Sequence, residues 1–327
     1  TAKKEGINAI IASDQAVIAY ASSVQMKVHI STQINITNIE TIRFYSNFAD
    51  VIVLSRELSL RQIKNITNEI EKQQIKGPSG NLIQLEIFAH GALCVAVSGK
   101  CYMSLHTTNS SANRGACIQN CRKTYSVTDK EDGYQFDIDN EYIMSPKDLC
   151  TIGFLNQVLD SGPNILKIEG RGRSPEYVKT TTQCYREAAD SYLNGSYTKD
   201  KIEGWITKLK TVYNRGFWDG YYLGQKLGEW TKTHGSKATK KKIYLGKAKK
   251  YFTNLQVAEF NIESFNLKKG DNILITGTTT GVIETIVDEM RNNDKLVTDV
   301  KKGDNFSMKL DYFIRPNDRL YKVVNAE

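Results

Sequence analysis

A chain of 327 residues can bury more than one core, and 40% apolar with 24% charged residues excludes the disordered and fibrous classes. No apolar run approaches the ~18 residues of a transmembrane helix, so no membrane partner is expected and a cytoplasmic location is. The formal net charge of +8 favours a polyanionic partner; seven lysines between positions 237 and 250, with no acidic residue among them, fit either a solvated linker or an RNA-phosphate contact.

The chain starts at Thr1 and in mid-pattern, so further strands are expected before it. Short β-branched runs predict buried strands at 7–11, 28–31, 51–55, 85–90 and 165–169. Helix starts lie between most of them: Thr37 with Glu40, Ser59 with Gln62 ahead of Ile63, Ile66 and Ile70, and Ser174 before Pro175. Strands about 20 to 35 residues apart with helices between them mean βαβ units and a parallel sheet. The fold class is α/β, and a TIM-like parallel barrel whose first three units are missing from this chain fits better than an open sheet. In such a barrel the chemistry sits where strands end. The strand ends here are polar: Ser31-Thr32-Gln33, Ser55-Arg56-Glu57, His90-Gly91 and Glu169-Gly170-Arg171-Gly172-Arg173. Each of these residues is either a substrate contact or a plain loop or cap residue.

The segment after 85–90 is far longer than its counterparts, as functional insertions at a barrel rim tend to be. It holds Cys94 to Cys121, then a hairpin at 125–138 turning at Asp132-Gly133, then a helix at 149–159 on Leu149, Ile152, Leu155 and Leu159. Beyond Trp230, 233–250 has linker composition. Short strands follow at 257–262, 273–276, 306–310 and 320–324, and Lys-Lys-Gly-Asp-Asn occurs twice, at 268–272 and 301–305. These predict a partial α/β barrel over 1–232, a basic linker over 233–250 and a small all-β barrel over 251–327.

Six residues separate Cys94 from Cys101, fifteen separate Cys101 from Cys117, and three separate Cys117 from Cys121; Cys150 and Cys184 follow. Zinc wants two close ligand pairs, and only Cys117 with Cys121 supplies one. A disulfide framework suits small secreted domains better than an α/β barrel. Thiolates gathered from several loops suit a 4Fe–4S cluster, which needs soft ligands. Cys150 is expected near a helix N-terminus, where the dipole lowers a thiol pKa, and Cys184 is expected in a helix core. Spacing alone leaves these readings open.

The surroundings carry a resemblance. The runs Glu86-Ile-Phe-Ala-His90-Gly-Ala-Leu-Cys94, Ser98-Gly99-Lys100-Cys101-Tyr102-Met103-Ser104 and Ala112-Asn113-Arg114-Gly115-Ala116-Cys117 resemble the signature of the collagenase-like peptidase family, peptidase family U thirty-two. So do Ser145-Pro146-Lys147-Asp148-Leu149-Cys150, Lys167-Ile168-Glu169-Gly170-Arg171 and Ser174-Pro175-Glu176-Tyr177-Val178. The tail is similar to domain two of elongation factor Tu. The resemblance implies either proteolysis of collagen or oxygen-independent hydroxylation of a tRNA wobble uridine, a ribosomal RNA cytidine or a quinone precursor. For the hydroxylases it implies a 4Fe–4S cluster on Cys94, Cys101, Cys117 and Cys150, with prephenate as hydroxyl source; Cys121 and Cys184 are left as spares.

A peptidase needs an activated nucleophile or a metal-bound water. The four histidines form no His-Glu-x-x-His pattern, no nucleophile elbow is present, and a Cys94–His90 pair would exclude Cys94 as a cluster ligand. The reading is therefore an iron–sulfur hydroxylase, most simply forming 5-hydroxyuridine in tRNA, with a collagenase-like peptidase as the alternative and an RNA-binding accessory protein as a third. Arg56, Arg114, Lys147, Arg171 and Arg173 are expected to hold donor carboxylates or RNA phosphate, or else to close the rim as ion pairs. His90, Glu57 and Glu169 are the candidate proton-transfer groups. An extruded base would stack on Tyr102, Phe217 or Trp218, unless these pack the core.

Overall fold

The β-branched runs of the first half enter one sheet in the computed structural model. In chain order the elements are β1 (Ala9–Ala12), α1 (Gln15–Ser23), β2 (Lys27–Ile30), α2 (Ile39–Tyr45), β3 (Val51–Val53), α3 (Leu60–Gln73) and β4 (Gln84–Ala92). After them come α4 (Met103–Thr108), β5 (Tyr125–Thr128), β6 (Gln135–Ile138), β7 (Asp148–Cys150), α5 (Leu155–Asp160), β8 (Ile165–Ile168), α6 (Pro175–Leu193), α7 (Lys199–Thr211) and β9 (Phe217–Trp218). The structure describes residues 1–123, 125–138, 145–225, 228–231 and 235–326. It divides into a first unit of 1–171, 184–206 and 214–237, and a second of 172–183, 207–213 and 238–327.

The five expected strands of the first unit are all present and mutually parallel: β1 to β4 pair in sequence order, and β8 pairs with β4. Parallel strands are buried on both faces, which is why they read as near-continuous apolar runs. Ile30, Ile52 and Ala89 are fully buried, as is Ile63, whose helix α3 also turns Ile66 and Ile70 inward. Ser59 and Gln62 form the expected capping box of α3. At α2 the cap is Asn38, which accepts from the Thr41 amide, rather than Thr37. The hairpin of β5 and β6 is present, with Gly133 in the left-handed region its turn needs.

The hydrogen-bonded path among the described residues runs β1-β2-β3-β4-β7-β9, with β8 on β4, and does not close on itself. One expectation of this unit is corrected. The helix expected at 149–159 begins only at Leu155; β7 takes 148–150 and runs antiparallel to β4, pairing His90 with Cys150. Thr151 then donates its amide to the Ala89 carbonyl at 3.1 Å, which prolongs the extended chain before Gly153. Apolar spacing alone could not separate strand from helix over so short a run.

The second unit carries an eight-stranded antiparallel sheet. Its strands are β10 (Lys240–Phe252), β11 (Val257–Ile262), β12 (Asn266–Lys268), β13 (Asn272–Gly277), β14 (Gly281–Ile286), β15 (Met290–Asn292), β16 (Lys295–Val297), β17 (Asp299–Lys301), β18 (Asn305–Lys309) and β19 (Arg319–Asn325). The sheet order is β14-β13-β19-β10-β11-β18-β15-β16, with β12 and β17 paired separately. Phe260 and Phe306 face each other in register and stack at 5.3 Å in its core. The basic stretch 233–250 is therefore not a linker: residues 240–250 belong to the longest strand, and 233–234 lie outside the described residues. Leu245, Gly246 and Ala248 are buried while most of the lysines are exposed, and register shifts beside Gly246 and before Lys250 break the strict alternation of the strand. Several of those lysines are already paired, Lys242 with Glu176 at 2.7 Å, Lys249 with Glu259 at 3.1 Å and Lys247 with Glu263 at 3.7 Å.

Candidate functional site: a thiol-rich insertion at the strand ends

Polar residues at the ends of three parallel strands grip the insertion that follows β4. After β2, Gln33 donates to the Ala112 carbonyl at 3.3 Å and Asn35 to the Ser98 carbonyl at 3.4 Å. After β3, Arg56 donates to the Ser98 hydroxyl at 2.6 Å, and after β8, Arg171 donates to the Gly115 carbonyl at 3.2 Å. Arg122 braces the insertion from within, donating to the Leu93 carbonyl at 2.8 Å. The row of strand-end polar residues is thus real, and its first service is to position the cysteine-bearing backbone.

The thiols divide into two groups. Burial raises the Cys121 thiol above its ordinary pKa, the Arg122 cation opposes this, and Cys94, Cys117 and Cys101 each add to the rise. These four thiols therefore share one electrostatic neighbourhood. Cys117 is exposed; its sulfur accepts from the Gln119 amide at 3.4 Å and from the Ser104 hydroxyl at 3.7 Å. Tyr125 also feels Cys121. Cys150 is buried in β7, where its residue pairs with His90 four positions before Cys94, and its sulfur lies 3.9 Å from the Tyr185 hydroxyl. Burial pushes its thiol up to about 12, opposite to the lowering expected from a helix N-terminus, because no helix begins there. Cys184 is a core residue of α6, as expected.

The donor set suits a soft metal centre, since thiols are soft ligands, and the Arg122 cation favours the thiolate of Cys121. Among the described residues, however, no three His, Cys, Asp or Glu side chains converge into a ready metal-binding group. The fit lies in the chemistry of the donors and their common neighbourhood.

The other sequence candidates separate. His90 is 1% exposed, with Nδ1 3.3 Å from the Tyr185 hydroxyl and its ring against Tyr185 and Phe217, so it packs the core. Trp218 is also buried, whereas Tyr102 is 74% exposed beside the insertion. Glu57 accepts from the Ser55 hydroxyl. Glu169 accepts from the Arg171 amide at 3.0 Å, and its own amide donates to the His90 carbonyl at 2.8 Å. Gly91, at φ +114°, makes this close approach workable, because a Cβ there would lie 2.5 Å from the Glu169 carbonyl oxygen. Arg114 is exposed on the insertion. Lys147 pairs with Glu229 at 2.6 Å. Arg173 belongs to the second unit, where it stacks on Tyr213 at 4.1 Å.

Sequence reasoning passed over a polar cluster on the sheet itself. Glu86, with a side chain 6% exposed, receives Lys167 Nζ at 2.7 Å and lies 3.2 Å from His29 Nδ1. The available signal was a single charged or titratable residue inside each of three apolar strands: Lys-Val-His-Ile, Gln-Leu-Glu-Ile-Phe and Ile-Leu-Lys-Ile.

Comparison with known proteins follows the same residues. The family model described as Peptidase family U32 matches residues 1–232. A Porphyromonas gingivalis protein named collagenase is 56% identical over 326 residues, covering 100% of this chain and 79% of the relative. The tRNA hydroxylation protein P1 of Bacillus subtilis is 32% identical over 300 residues, covering 86% of this chain and 67% of the relative. The 23S rRNA 5-hydroxycytidine C2501 synthase of Escherichia coli is 35% identical over 231 residues, covering 68% of this chain and 33% of the relative. With strands, insertion and cysteines all inside the matched span, the chain belongs to peptidase family U32.

Proposed function

We propose that this chain is an RNA-directed, oxygen-independent hydroxylase that forms 5-hydroxyuridine in tRNA, with a 4Fe–4S cluster held by Cys94, Cys101, Cys117 and a fourth thiol, Cys150 or Cys121. The observation that carries the reading is the grip of strand-end Gln33, Asn35, Arg56 and Arg171 on the insertion that bears Cys94, Cys101 and Cys117. Such a cluster supplies redox or Lewis-acid chemistry when bound. Arg122 lowers the cost of keeping the thiols deprotonated, and its hydrogen bond to the Leu93 carbonyl fixes the residue before Cys94. Glu169, held by the backbone of His90 and Arg171, is the carboxylate best placed to move a proton at the rim. Arg114 and Arg171 on the same rim suit the anionic groups of RNA or of a prephenate-like hydroxyl donor. A tRNA substrate would place the protein in the cytoplasm.

Anaerobic reconstitution with iron and sulfide tests this. The reading expects a brown protein with about four iron atoms per chain and loss of colour in Cys117→Ser. Loss in Cys150→Ser makes Cys150 the fourth ligand and loss in Cys121→Ser makes it Cys121; colourless wild-type protein would contradict the cluster.

A second reading, a collagenase-like peptidase, is favoured by the 56% identity to the protein named collagenase. Its candidate nucleophile is Cys94. The histidine nearest in sequence, His90, has its ring packed in the core. Gelatin cleavage by protein free of contaminating proteases, abolished in Cys94→Ala, would establish it.

A further inference from the structure

The sheet face that holds Glu86 carries more positive charge than its one buried carboxylate balances. Lys167 Nζ and the Arg56 guanidinium both lie over the Phe88 ring, 5.5 and 5.4 Å from its centroid. Glu86 takes Lys167 at 2.7 Å through one oxygen and faces His29 through the other. Among the described residues Arg56 has only the neutral Ser98 hydroxyl at 2.6 Å as a hydrogen-bond acceptor, and its buried Nε has none. Glu57, next in sequence, is exposed and engaged by Ser55. A buried guanidinium N–H without an acceptor is costly, and two cations sharing one ring repel. Both costs fall when an oxyanion enters between them.

We propose that Arg56 and Lys167 form an oxyanion-binding site beside Phe88, which takes a carboxylate or phosphate group of a small ligand. Glu86 is its positioning residue: it orients Lys167, is itself held by His29, and keeps the site from being cationic enough to bind any anion indiscriminately. The Lys167 side chain, 23% exposed, and that of His29, 29% exposed, keep the site open to solvent. The site stands on these contacts alone and does not depend on the cluster or on the reaction.

Titration calorimetry of the full chain at low salt, with inorganic phosphate and with malonate as probes, tests it. Lys167→Met should weaken binding of the preferred probe at least about tenfold, and Lys167→Arg should retain most of it. Glu86→Gln keeps an oxygen that accepts from Lys167 while removing its negative charge, so binding should tighten by about three- to tenfold. Preference for malonate would identify a carboxylate ligand, and preference for phosphate a phosphoryl group. Should Lys167→Met not fold, Arg56→Gln serves in its place with the same expected loss. A wild-type chain that binds neither probe, or a Glu86→Gln variant whose affinity is unchanged or weaker, would overturn the site and leave a structural ion pair.

Discussion

The Cys150 sulfur lies 3.9 Å from the Tyr185 hydroxyl, in the layer between sheet and helix. The same hydroxyl donates to the Ala89 carbonyl at 2.8 Å and receives the Thr151 amide at 2.9 Å. One tyrosine thus ties β4, β7 and α6 together, and Cys150 belongs to that tie.

Thiol reactivity should follow burial. Iodoacetamide at pH 8 should label the exposed Cys117 and spare Cys150, as peptide mass spectrometry can show. The raised thiol also sets a sign for stability. Between its ordinary 9.0 and about 12, the folded chain holds a proton that the unfolded chain has lost. The Cys150 contribution therefore falls as pH rises through that window, by about 1.4 kcal/mol per unit at most. Urea denaturation of wild type and Cys150→Ala at pH 8 and 10.5 should show a smaller pH-dependent loss in the variant.

Gly91→Ala should destabilise the first unit by about 2 kcal/mol or more, since it combines a left-handed φ with a Cβ 2.5 Å from the Glu169 carbonyl oxygen. A urea midpoint within error of wild type would show that the chain yields there.

Asp148 is 1% exposed, accepts the Arg215 amide at 3.1 Å and lies 3.6 Å from Arg215 Nη1. Asp148→Ala should cost about 3–5 kcal/mol by leaving a buried cation without its carboxylate. Asp148→Asn, which keeps the amide acceptor, should cost less by the same denaturation measurement.

In the second unit the two Lys-Lys-Gly-Asp-Asn repeats are equivalent turns. Asp271 accepts from the Lys268 amide at 2.7 Å and Asp304 from the Lys301 amide at 2.8 Å, each just ahead of a strand. Asp318 does the same for the Arg315 amide at 2.8 Å without the sequence repeat. Asp304→Ala should lower stability by about 1 kcal/mol, and Asp271→Ala by more, because Asp271 also pairs with Lys322 at 2.7 Å. Equal losses would mean that the Lys322 pair contributes nothing.

The five parallel strands were legible because burial on both faces forces β-branched residues into short runs, and the hairpin because Asp132-Gly133 needs a left-handed turn. β7 was hidden by Leu149, Ile152 and Leu155, whose spacing suits a helix as well. The strand at 240–252 was hidden by its lysines and by two register shifts, which leave it no clean period of two. In the site, linear spacing found the cysteines. It could not show that Cys150 lies in a strand rather than at a helix start, because that depends on where β7 pairs with β4. The Glu86 cluster was missed because ion pairs between neighbouring strands join residues far apart in sequence.

Nucleoside mass spectrometry of tRNA from cells lacking this protein, complemented with the wild-type chain or with Cys117→Ser, tests the central claim most directly. The account predicts that 5-hydroxyuridine and its derivatives are lost on deletion, restored by the wild-type chain and not restored by Cys117→Ser. Unchanged 5-hydroxyuridine in the deletion strain would contradict it.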